Sequence, residues 1–307
     1  MIAAGTLFAY AIVVACCASS LLARLTGRGA SARFGLVVWL TAMVSAGVSG
    51  LLGACLVTAK AVADWVPLTQ AVCRSVAGSA CSPPVYRSML YEAGVTALAI
   101  VVVIAGLAAL WRYCRRVRRA QRRTRAHAEA ALLAGRALPG GPGTVVLDDP
   151  RPAAYCVAGR PAAIVVTSSA LAVLDQPQLA AVLAHERAHL HGRHHLLATV
   201  TRGLTAAFPG VPLFTRGAAE VARLAEMAAD DAATRSAGRS ALVTALLAIA
   251  TGAPVPGLAA AACAVPDRVE RLLNPPRPAA IAASRLTLAT VSAVLILLPA
   301  ALAMISA

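Results

Sequence analysis

The chain has 307 residues, 59% of them apolar and 13% charged, with a mean hydropathy of +0.73. Soluble domains are nearer half apolar and a quarter charged, so this composition excludes a wholly water-borne globule and makes the bilayer part of the solvent. The net charge of +15 comes almost entirely from arginine, with Lys60 the single lysine; the placement of those arginines decides between nucleic acid, lipid and topology as their meaning.

Four segments are long and apolar enough to cross about 30 Å of hydrocarbon, which takes roughly 20 helical residues. They are 2–22, 35–59, 93–111 and 286–307, and none holds a charged residue. Arg24, Arg28 and Arg33 lie between the first two, and eight arginines from Arg112 to Arg125 follow the third. The connecting loop 60–92 carries three positive and two negative charges. An excess of arginine marks the cytoplasmic side, so both arginine-rich segments are expected inside, with the 60–92 loop and both termini outside. The Arg112–Arg125 run has no series of interleaved aromatics to stack bases, so it reads as topology signal and lipid contact, with no direct nucleic-acid partner. Eight cysteines include no Cys-x-x-Cys pair, which removes a cysteine-based zinc site. Cys73 and Cys81 share the external loop, where a disulfide is permitted.

The fold class expected is an α-helical integral membrane protein of four transmembrane helices. A cytoplasmic α+β domain, 112–285, is inserted between helices 3 and 4. The domains are thus an anchor (1–111), the inserted domain, and the last span (286–307). Within the insert, the Pro-Gly-rich 138–143 is a break. Short apolar runs at 144–148, 154–157 and 163–167 read as strands between turn residues. The last of these, just before the next helix, is the candidate edge strand for an extended peptide. Asp175 with Pro177 opens a helix expected to reach about Leu197. The segment 208–214 is apolar but too interrupted to span, and 216–247 is helical again.

His185 and His189 stand four apart on the first of these helices, so both imidazoles leave one face about a turn apart. That spacing lets two ring nitrogens hold a zinc ion, Zn2+, while Glu186 beside them serves as general base toward water. Two residues compete as third ligand. His195 completes His185-Glu186-x-x-His189-x-x-Gly192-x-x-His195, a pattern in which a helix bends at glycine to bring in a third histidine. Glu226 instead lies on the later helix, with Asp230 one turn on to orient a histidine ring from behind. The companion pattern of His195 needs a methionine in a tight turn, and Met227 sits in a helical run, which favours Glu226. His191, His194 and His195 then read as a polar, proton-sensitive helix end.

The stretches Ala153-Ala-Tyr-Cys-Val-Ala-Gly-Arg-Pro, Ile164-Val-Val-Thr-Ser-Ser-Ala-Leu, Leu183-Ala-His-Glu-Arg-Ala-His-Leu and Glu226-x-x-x-Asp230 resemble the peptidase part of the BlaR/MecR-type sensor–transducers. More distantly the chain is similar to Ste24/HtpX-like membrane proteases. The resemblance implies a gluzincin-like zinc endopeptidase in a bacterial cytoplasmic membrane. His185, His189 and Glu226 would be the metal ligands, Glu186 the base and Asp230 the supporting carboxylate. It also implies a protein substrate, in that family a winged-helix transcriptional repressor. The antibiotic sensors continue past the fourth span into a penicillin-binding domain; a chain ending at Ala307 is expected to lack one.

Overall fold

The computed structural model describes residues 2–76, 83–139, 143–159, 161–251 and 259–305. Three long helices open the chain: α1 (Ile2–Thr26), α2 (Ala32–Val76) and α3 (Pro83–Ala134). A last one, α10 (Pro278–Ile305), closes it. Helices α1, α2 and α10 pack together, with Trp39, Leu22 and Leu288 buried between them. The Tyr10 hydroxyl reaches Ser45 Oγ (2.8 Å) and donates to the Leu295 carbonyl (3.1 Å), tying the three helices where no water is available. Outward apolar side chains such as Val13, Val44, Leu51 and Leu297 stay exposed, as a lipid-facing surface requires.

Among the described residues three helices are long and apolar enough to cross a membrane: Ile2–Thr26, Ala32–Lys60 and Pro278–Ile305. The expected span 93–111 falls within α3, where several side chains lie outside the described residues. The 60–92 segment, expected to be a loop between two apolar spans, is largely helical: α2 continues to Val76 and α3 begins at Pro83. The Cys73–Cys81 pairing lies outside the described residues. The last helix also starts earlier than expected, at Pro278, which places Arg285 inside it.

Between α3 and α10 lies a small sheet covered by helices. Strands β1 (Arg136–Ala137), β2 (Thr144–Leu147), β3 (Ala154–Val157) and β4 (Ala163–Thr167) form it in the order β1-β2-β4-β3. Strand β4 runs parallel to β2 and antiparallel to β3. Its Ile164 and Val166 pack with Val182 and Leu183, and its Val165 packs with Ala128 and Ala131 of α3. All five β4 residues are buried. This overturns the expectation that 163–167 is the edge strand. An uninterrupted apolar run belongs to a strand covered on both faces, and here both sides are paired as well; the edges are β1 and β3.

The helices that follow are α4 (Ser168–Val173), α5 (Gln176–His191), α6 (His194–Ala207), α7 (Pro212–Ala237), α8 (Arg239–Thr251) and α9 (Ala259–Leu273). Asp175 caps α5 in a reciprocal pair with Gln178, and Pro177 sits in its first turn. The helix expected to run to Leu197 stops instead at His191. Arg193 adopts a left-handed backbone (φ 49°), and α6 sets off anew from His194. A second break falls at Gly238 (φ 90°), dividing the helical run 216–247 between α7 and α8.

Helices α6 and α7 form a hairpin against the spans. Leu213, Phe214, Val221 and Leu224 of α7 share one core with Trp39 and Met43 of α2. Met43 is about 16 Å along α2 from its start, so the hairpin reaches well down the bundle. Arg223 fastens it by donating to the Thr26 and Gly27 carbonyls (3.0 and 3.1 Å). Gly217 makes the close approach possible, because a Cβ there would run into Met43 and the Trp39 ring. Gly217→Leu should therefore lower stability by about 1–3 kcal/mol. Thermal unfolding of the detergent-solubilised chain, with Gly47→Leu on the open face of α2 as a control for an added side chain, checks this; an unchanged midpoint would mean the hairpin is not docked there.

Candidate metal centre

Helices α5 and α7 lie side by side, and three donor groups meet between them. His185 Nε2 and His189 Nε2 are 3.0 Å apart; Glu226 Oε2 is 3.5 Å from the first and Glu226 Oε1 3.4 Å from the second. Donors about 2.1 Å from a tetrahedral zinc stand about 3.4 Å from one another, so this triangle has the size of one face of such a site. Two neutral imidazoles and a carboxylate also form a set that zinc favours. Among the described residues these three are the group able to hold a metal ion. His195 is not brought to them: it lies in the first turn of α6, its Nδ1 buried with no partner.

The surroundings hold the donors in place. Asp230 Oδ1 lies 3.1 Å from His185 Nδ1, within hydrogen-bond distance although off the ring's N–H axis. Asp230 is 1% exposed. Arg268 of α9 offsets its charge with two hydrogen bonds, Nη2 to Oδ1 (2.6 Å) and Nε to Oδ2 (2.9 Å). The same guanidinium reaches Glu226 Oε2 at 3.2 Å through Nη1. His189 is steadied from its other side, where its Nδ1 shares a 2.8 Å hydrogen bond with His194 Nδ1. On the adjacent turn, Asp231 pairs with Arg271 (2.9 Å), and Arg271 also donates to the Gly29 carbonyl (2.9 Å).

Charge states follow from these contacts. Burial works against a charged His185 ring, but Asp230 and Glu226 outweigh it and hold the pKa up at about 9 without metal. Glu226 is opposed by burial as well, yet its bonds to His185 and His189 keep it well below the usual carboxylate range. Glu186 is the exception. Burial raises its pKa, which makes it the most readily protonated carboxylate beside the metal donors. Next to it, burial and then the Glu186 charge push the Cys156 thiol up to about 12, so it stays protonated. His194 is lowered to about 4, first by burial and then by His189.

The structure thus brings together His185, Glu186, His189, Glu226 and Asp230 from the sequence reading. Arg268, Cys156 and His194 are neighbours that the sequence reading missed. For Arg268 the available signal was weak: a short amphipathic stretch after Pro266, with Val269 and Leu272 on its apolar side. For His194 the clue was present but misdirected, since Gly192 and His195 drew attention as a bend and a ligand.

A part-buried His-Glu-x-x-His face completed by a carboxylate from a second helix is a donor set suited to zinc with an acid–base group beside it. Comparisons with known proteins agree for the segment they cover. The sequence model of peptidase family M48 matches residues 116–209, from the arginine-rich part of α3 through α6. A protease HtpX homolog of Acidiphilium cryptum (strain JF-5) is 41% identical over 68 residues, 22% of this chain and 24% of its own length. One from Limosilactobacillus fermentum (strain NBRC 3956 / LMG 18251) is 35% identical over 68 residues, 22% and 23%. The chain therefore matches about a quarter of the length of these curated relatives. No solved structure matches it.

The donor triangle leads to a ranking. Glu226→Ala should remove most bound zinc, and Asp230→Asn should weaken it about 10–100-fold by freeing the His185 ring. His195→Ala should leave metal affinity unchanged. Chelator competition on the purified variants measures all three; a reversed order of Glu226 and His195 would refute the assignment.

Proposed function

We propose that this chain is a membrane-embedded zinc-dependent endopeptidase. His185, His189 and Glu226 hold the metal, Glu186 is the general base and Asp230 orients His185. The observation that carries the reading is the convergence of the three donors on a zinc-sized triangle with a buried carboxylate directly beside it. Zinc bound there would supply an acidified water and a Lewis acid for the scissile carbonyl. Glu186 accepts the proton of the attacking water and passes it to the leaving amine, so the amide C–N bond breaks as the new C–O bond forms. A raised pKa suits a group that must both take and return a proton.

The substrate is an extended peptide laid along β3. Ala153 accepts from the Thr167 amide, and Tyr155 and Val157 occupy the equivalent positions opposite Val165 and Ala163. In an antiparallel pair these positions alternate, so the backbone groups of Ala154 and Cys156 face away from β4. Cys156 also stands beside Glu186, which puts the free edge next to the chemistry.

The further reading, supported by the BlaR/MecR-type stretches, places the chain in a bacterial cytoplasmic membrane with four spans. Its protease domain faces the cytoplasm on the side of Arg24, Arg28 and Arg33, and the substrate is a cytoplasmic transcriptional repressor of the winged-helix kind. A second reading, cleavage of membrane proteins, has its own support. A cavity of about 690 Å³ is lined by Leu36, Val37 and Leu40 of α2 and by Ala184, Ala188 and His194 beside the metal donors. An apolar segment leaving the bilayer would find that opening.

Glu186→Gln should retain fold and zinc but lose peptide cleavage by several orders of magnitude. Metal analysis alongside a purified cleavage assay tests it, and retained cleavage would end the proposal. Ala154→Pro removes an outward amide while sparing the β4 ladder. It should lower kcat/KM about tenfold with zinc content unchanged, given about 1.4 kcal/mol for the lost hydrogen bond. The same proline leaving peptide kinetics intact would place the substrate elsewhere.

A further inference from the structure

Away from the metal donors, a cavity of about 710 Å³ opens where the first helices meet α7, α8, α9 and α10. Five arginines line it: Arg33, Arg235, Arg239, Arg271 and Arg285. They come from five different helices, so no single basic run produces the cluster. The lining has one acid, Asp231, already held by Arg271 at 2.9 Å. Topology signalling asks for positive charge near the ends of spans; it does not ask that distant segments converge on one hollow.

Three further features of the cavity favour an anion. Helices α2, α8 and α10 all begin at its wall, and helix starts carry free amides and partial positive charge. Thr234 Oγ1, also on the lining, is buried without a hydrogen-bond partner. The height is also specific: Arg33 stands at the start of one candidate membrane span and Arg285 about two turns into another, just before its uncharged stretch. Immediately beyond them Phe34, Val37 and Leu286 are exposed and apolar, where acyl chains would run.

We propose that this cavity binds the phosphate of an anionic membrane phospholipid, the headgroup seated among the arginines and the acyl chains descending along α2 and α10. The shared chemistry is a phosphate group, and soluble phosphate is the competing source. Guanidinium forks match phosphate oxygens in pairs, and each basic group near a lipid surface contributes about 1 kcal/mol. The proposal is independent of what the protein cleaves.

The test uses the full chain with its zinc, purified in detergent, and measures retained phosphatidylglycerol by native mass spectrometry and thermal stabilisation on adding that lipid. Phosphatidylcholine and inorganic phosphate are the comparison probes. Wild type should prefer phosphatidylglycerol to both. Arg235→Gln with Arg239→Gln should weaken that binding about thirtyfold, from two lost charges. Arg118→Gln with Arg119→Gln, the same charge change on exposed α3, should leave it intact. Zinc content and circular dichroism confirm that each variant is folded; if the double Gln variant fails to fold, Arg285→Gln takes its place with an expected loss of about fivefold. Equal weakening by the α3 pair would reduce the effect to diffuse surface charge and overturn the proposal. So would stabilisation by inorganic phosphate matching that by the lipid, or equal retention of phosphatidylcholine.

Discussion

A carboxylate as deeply buried as Asp230 can stay charged only if its surroundings replace the water it has lost. Arg268 supplies that replacement through two hydrogen bonds, one to each carboxylate oxygen, and the His185 ring lies against Oδ1 as well. The requirement brings three helices to one place, because α7 carries the acid, α9 the guanidinium and α5 the imidazole. Removing one partner of such a buried pair typically costs about 3–5 kcal/mol, since the remaining charge has nowhere to go. The spacing of the three donor groups thus depends on a charge balance one layer behind them. Arg268 serves both layers, touching Asp230 and Glu226 together.

Much of the site was readable in the sequence because it depends on helical spacing. His185 and His189 share a face by being four apart, and the same holds for Glu226 and Asp230. The start of α5 was readable for a similar local reason, since Asp175 and Pro177 act within one turn. The strands at 144–147, 154–157 and 163–167 were marked by apolar runs between turn residues. Strand β1, two residues long with both exposed, has no such pattern.

What escaped was non-local. Which strand forms the edge depends on pairing order, and nothing within 163–167 states that β2 and β3 will flank it. The break after His191 turns on Arg193 adopting a left-handed backbone, uncommon for a residue with a side chain. Arg268 is separated from Asp230 by 38 residues and the whole of α8, so its role appears only once α9 has folded back. The limits of the apolar stretches also made a loop of 60–92, because hydropathy marks where a span ends and not where its helix does.

The hairpin of α6 and α7 bears on how this molecule can come into being. Glu226 belongs to a helix whose earlier turns are covered by Trp39, Met43 and Leu22. Released from those partners, Leu213, Phe214, Val221 and Leu224 would face water as one sticky strip, which works against a soluble form of 112–285 on its own. Assembly therefore has an order: the early spans must be in place before α7 can settle, and α7 must settle before its carboxylate can meet the two imidazoles. A copy stranded outside the bilayer after synthesis would lack the docked helix that brings Glu226 to His185 and His189.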